Sequence, residues 1–156
     1  MVVYRICNGK EIQNIVCNRS FDEVGSTFER DSKKNNHKYS PNVKYLHFFR
    51  DYDSIFYLGV RKDMYICTYD IPDSVLRKFT GDGFYLDRLF LRNLESTTEY
   101  AVPTAFIIFD YLQKVDKVIN DIDFEEFAYD DYKNSIYNMY DFTDQGKKLR
   151  NTFGQS

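Results

Sequence analysis

Val2-Val3-Tyr4-Arg5-Ile6-Cys7 is followed at once by Asn8-Gly9. β-Branched and aromatic side chains of this kind pack well on a pleated surface, and Asn-Gly is a turn or helix-entry signal. The stretch therefore predicts an opening strand that ends at Cys7. Beyond it, Ile12, Ile15 and Val16 recur at i, i+3 and i+4, which predicts a short helix from Lys10 to Asn18 with one apolar face. A strand that feeds directly into a helix points to the α+β class.

Working outward, Tyr45-Leu46-His47-Phe48-Phe49 is dense in strand formers, and Asp51 is placed to cap a short helix carrying Ile55, Phe56 and Tyr57. Met64 to Tyr69 predicts a third strand. Asp73 is placed to cap a helix from Ser74 to Phe79, which Gly81-Asp82-Gly83 would end. Phe84 to Leu91 and Tyr100 to Ile108 predict further strands, joined by the polar run Asn93 to Thr98.

Residues 19–44 lose periodicity and collect Ser, Gly, Asn and Pro, which predicts a long loop of the kind that covers a ligand or stays unstructured. Ile108, Tyr111, Leu112, Val115, Val118 and Ile119 predict a helix within 107–119, and Phe124 to Tyr140 predicts a second, acidic one. The expected architecture is one domain over 1–156. A small split antiparallel or mixed sheet forms a cleft, flanked by helices, with two acidic helices at the C-terminus.

The 43% hydrophobic content suits a globular domain, and no run reaches the roughly 20 apolar residues that a membrane span needs. Arg5, Lys10 and Glu11 interrupt any signal-peptide core, so a cytoplasmic protein without membrane contact is expected. Three widely spaced cysteines and two histidines give neither a disulfide framework nor a zinc pattern, so reduced thiols and no metal are expected. Residues 110–145 carry ten Asp or Glu against three Lys, which makes the C-terminal part acidic and leaves the remainder at +4.

A strand with a basic residue, a helix, an aromatic strand, another helix, a third strand and a late strand headed by Glu99-Tyr100-Ala101-Val102-Pro103 resembles, in this order, the ADP-ribosyltransferase fold. The resemblance covers residues 2–109. It implies NAD bound in the cleft of a split sheet, with Arg5 on the first strand, Tyr45, His47 and Phe48 around the second, and Glu99 as the catalytic carboxylate. The chain lacks the Ser-Thr-Ser triplet on its second strand and offers Tyr45, His47 or the upstream Ser40 instead.

The chemistry of these residue types agrees with that assignment. Cleaving the nicotinamide–ribose bond develops positive charge on the sugar, which a carboxylate such as Glu99 stabilises. A guanidinium such as Arg5 grips a diphosphate with two parallel hydrogen bonds. Rings such as Tyr45, Phe48 or Tyr85 would stack on nicotinamide or adenine. The implied activity is ADP-ribosyl transfer to a protein or nucleic acid, in a toxin or a phage–host conflict factor.

Each residue also has a plain structural reading. Arg5 suits a strand-edge salt bridge, Glu99 a solvated turn, His47 a half-exposed core position, and Gly81-Asp82-Gly83 a turn. The rival function is a non-enzymatic binding or inhibitor protein. In that reading Asp121, Asp123, Glu125, Glu126, Asp130 and Asp131 meet the basic groove of a nucleic-acid-binding partner. Arg19, Arg30, Lys33, Lys34, Lys38 and Lys44 could instead steer a polynucleotide toward an NAD cleft.

Overall fold

Asn8 closes the first strand and starts the first helix with one side chain. In the computed structural model, described for residues 1–21, 24–25, 43–52, 55, 60–81, 99–122 and 134–142, β1 is Val2–Cys7 and α1 is Gly9–Asn18. The Asn8 carboxamide oxygen accepts from the Glu11 backbone N–H at 2.9 Å and satisfies one of the otherwise unpaired first-turn donors. At the other end Arg19 takes the left-handed conformation, φ 51°, and its N–H closes the helix on the Ile15 carbonyl. Ile12 and Ile15 are buried against the sheet, each stabilising it by about 1.5–3 kcal/mol.

The remaining strands are β2 (Tyr45–Phe49), β3 (Tyr65–Asp70), β4 (Thr80–Gly81), β5 (Glu99–Pro103), β6 (Leu112–Val118) and β7 (Ile136–Asp141). They form one sheet in the order β4-β5-β2-β1-β3-β6-β7, and every pairing is antiparallel. Its ladders are uneven. β1 pairs with β3 over its full length, from Val2 opposite Asp70 to Cys7 opposite Tyr65, but meets β2 only where Tyr4 faces Phe49.

Both faces of the sheet are covered near its centre, as the alternation along β1 requires. Val3 and Cys7 join a core with Ile15, Phe48, Tyr69 and Val102 on the α1 side. Tyr4 and Ile6 pack on the opposite face against Phe49, Ile55, Ile66 and Val118.

Several expectations need correction. The sheet is one continuous seven-stranded antiparallel sheet, not a small split or mixed one, and it is not flanked by helices: α1, the four-residue α2 (Asp73–Leu76) and Asn134 with Ser135 are the α-helical segments among the described residues. Pro72, not Asp73, occupies the cap position of α2, and the Asp73 carboxylate pairs with the Met1 ammonium at 3.1 Å. Pro103 ends β5, where short 3₁₀ turns take over the rest of the strand expected to run to Ile108.

The two acidic C-terminal helices are also overturned. Leu112–Val118 is strand β6, and Ile136–Asp141 is strand β7 paired along it. Leu112, Val115 and Val118 look helical because they recur every three residues. A bulge produces that spacing: Thr68 faces Lys114 and Tyr69 faces Leu112, so Gln113 is an inserted residue. The insertion brings Leu112 and Val115 into the α1-side core, while normal alternation sends Val118 to the other.

Residues 123–133 of the second expected helix, the strand at Phe84 to Leu91, Phe56 and Tyr57, and most of the loop 19–44 lie outside the described residues. Within that loop, Gly25 has φ +95°, and a Cβ there would come within 2.8 Å of the Tyr45 carbonyl oxygen. Gly25→Ala is therefore expected to destabilise the protein by about 2 kcal/mol, through left-handed strain and backbone collision at the start of β2, read from urea unfolding.

Candidate functional site

Three neighbouring strands, β5, β2 and β1, carry the residues singled out from the sequence. Tyr45 faces Pro103, His47 faces Ala101, and Phe49 faces Glu99, whose backbone also pairs with Gly81. Glu99 is thus the first residue of β5; its side chain lies outside what is described.

Arg5 sits on a central strand, not on a sheet edge. Glu11 comes to it from the first turn of α1, six residues later. Arg5 Nε donates to Glu11 Oε2 at 3.1 Å and Nη2 to Oε1 at 2.5 Å, a two-pronged ion pair whose side chains are 14% and 12% exposed. Nη1 reaches across the sparsely paired β1–β2 seam to the His47 carbonyl oxygen at 3.4 Å. Burial disfavours the guanidinium's charge, and the Glu11 carboxylate overrides it, so the Arg5 pKa is held above its ordinary value.

The aromatic candidates divide by the parity of β2. Phe48 is fully buried and meets the Tyr69 ring edge-on at 4.9 Å between centroids. Its ring serves the core and offers no open face for stacking. Tyr45 is 3% exposed and is likewise enclosed. His47 is half-buried. The structure thus brings Arg5 to the backbone of His47, and His47 alongside the strand headed by Glu99, while it withdraws Phe48 and Tyr45 into the interior. Ser40 and Tyr85 lie outside the described residues.

Sequence reasoning missed Glu11, the partner that holds Arg5. The available signal was an acidic residue in the first turn of a helix entered through Asn8, which the fold swings back over the strand. It also missed the contact between Cys7 and Cys67 on neighbouring strands.

Of the acidic residues in the rival reading, Asp121 is described. Its Oδ1 accepts from the Lys62 backbone N–H at 2.7 Å and its Oδ2 lies 3.9 Å from Arg61, so it braces a turn. The others lie outside the described residues, as do Arg30, Lys33, Lys34 and Lys38. Among the described residues no three His, Cys, Asp or Glu side chains are grouped to hold a metal ion, and no helix is long and apolar enough to cross a membrane.

Asp116, on β6, is the described carboxylate whose acidity departs from the ordinary. Burial raises its pKa, opposed by the Asn138 Nδ2 hydrogen bond at 2.9 Å and by Lys114, and reinforced by Asp141. A raised folded-state pKa gives stability that is fully present below the unfolded pKa and lost as pH rises through the folded one. Asp116→Asn removes that loss. It is expected to raise Tm at neutral pH by about 1–2 °C, a small effect because the site is partly exposed, and to leave Tm unchanged in acid below the carboxyl range.

The candidate site is therefore a seam between β1 and β2, with Arg5 held in it and Glu99 heading the adjoining strand. Comparison with protein-family models, curated proteins and solved structures found no match to this chain.

Proposed function

We propose that the protein transfers ADP-ribose from NAD to a protein or nucleic-acid acceptor, with Glu99 as the catalytic carboxylate. One observation carries this reading: β5, β2 and β1 are consecutive in the sheet, and β1 meets β2 at a single paired position. The strand headed by Glu99 and the strand bearing Arg5 thereby flank β2 on its two sides. The two strands that the resemblance names for an NAD site thus lie one strand apart in a single continuous sheet.

In the reaction the bond between nicotinamide and ribose C1 breaks and nicotinamide leaves with the bonding electrons. The acceptor nucleophile forms the new bond to C1, and its proton passes to the carboxylate or solvent. Glu99 stabilises the positive charge that builds on the sugar. The buried rings of Tyr45 and Phe48 support the walls rather than touch the nucleotide. Of the candidates, His47 on β2 is left to contact NAD, because Arg5 lies on the α1 face of the sheet and is held there by Glu11.

The test is incubation with labelled NAD and cell extract, following nicotinamide release and label transfer. Wild type is expected to be active and Glu99→Gln to lose about 10²-fold or more. Absence of both signals, with no thermal shift from NAD, would replace this reading with the binding protein that presents an acidic, tyrosine-rich surface to a basic partner.

A further inference from the structure

Cys7 and Cys67 lie on the adjacent strands β1 and β3, on the α1 side of the sheet, with their Sγ atoms 3.3 Å apart. We propose that this pair is a reversible dithiol switch, which closes to a disulfide that ties β1 to β3 beside Arg5. A disulfide bond is about 2.05 Å long, so the sulfurs need to approach by only about 1.2 Å.

Register decides what kind of bond this would be. Cys67 faces Arg5, and Cys7 faces Tyr65, so the cysteines are diagonal neighbours rather than a direct pair. Diagonal side chains on neighbouring strands start farther apart at Cβ than a relaxed disulfide allows. Closure therefore shears β1 slightly against β3. A bond made under that constraint is oxidising and easily reduced, which suits a switch more than a permanent staple. The Tyr69 phenol, two residues from Cys67 on the same face and fully buried, has an oxygen with no hydrogen-bond partner among the described residues.

The oxidant is a low-molecular-weight disulfide such as oxidised glutathione. Both thiols are buried, Cys7 at 7% exposure and Cys67 at 0%, so local opening bares Cys7 first. Its thiolate attacks one glutathione sulfur and expels the first glutathione thiol. Cys67 then loses its proton, attacks the Cys7 sulfur and expels the second. The protein gives up two protons and two electrons, and one glutathione disulfide becomes two glutathione thiols. Burial pushes the Cys7 thiol well above its ordinary range, so closure is slow at neutral pH and accelerates about tenfold per pH unit.

Cys17 is exposed and would compete, so the experiment uses the full chain carrying Cys17→Ser. Native protein is treated with oxidised glutathione and followed by intact mass and a non-reducing peptide map. The expected result is a loss of about 2 Da, a cross-linked peptide joining Cys7 to Cys67, a rate that climbs with pH, and reversal by dithiothreitol. Adding Cys67→Ala should abolish the mass loss; should that variant fail to fold, the peptide map of the parent decides alone. A stable glutathione adduct on Cys7 with Cys67 still reduced would overturn the proposal. So would an unchanged mass under conditions that oxidise the urea-unfolded chain.

Discussion

Phe48→Ala is expected to lower the unfolding free energy by about 3–5 kcal/mol. The ring is fully buried in β2, the strand between β5 and β1, and it packs edge-on against Tyr69, itself fully buried. Removing it leaves a cavity in the core on the α1 side of the sheet, and close-packed neighbours relax into such a space only in part. Urea unfolding should show a lower midpoint with an unchanged slope. Phe48→Leu refills most of the volume and should be much milder. A ring that stacked on a nucleotide would behave in the opposite way, with near-normal stability and weakened NAD binding.

Glu11→Ala is expected to destabilise the fold by about 3 kcal/mol. The pair it breaks is two-pronged and largely buried, and the loss leaves the Arg5 guanidinium with the His47 carbonyl but without its counter-charge. The penalty comes mainly from stranding a charge away from water, not from the pair's own net worth. Glu11→Gln keeps an acceptor oxygen and should fall between the two. A double-mutant cycle with Arg5→Met separates the contributions: if the pair is the cause, the double variant recovers most of what Glu11→Ala alone loses, measured by the same urea titration. Equal losses in the single and double variants would show that Glu11 matters for α1 and not for Arg5.

Part of this fold was written in local chemistry. The run Val2 to Cys7, the Asn8-Gly9 entry and the spacing of Ile12, Ile15 and Val16 predict β1 and α1 within a residue or two of where they lie. Tyr45 to Phe49 marked β2, and Met64 to Tyr69 marked β3 to within a residue. The signals sufficed because propensity, turn chemistry and periodicity agreed with one another.

Where the periodicity depended on a partner strand, the sequence misled. The three-residue spacing of Leu112, Val115 and Val118 reads as a helix until Gln113 is seen as a bulge residue, and only pairing with β3 creates that bulge. The Ile136 to Asp141 segment is strand because β6 offers it a ladder. The candidate site divides along the same line. Strand membership of Arg5, His47 and Glu99 was legible, since it follows from local composition. That Glu11 would fold back onto Arg5, that Phe48 and Tyr45 would turn inward, and that Cys7 would meet Cys67 were decided by tertiary structure alone. Each depends on which face and which neighbour a residue receives when distant segments pair, and local sequence carries no term for that choice.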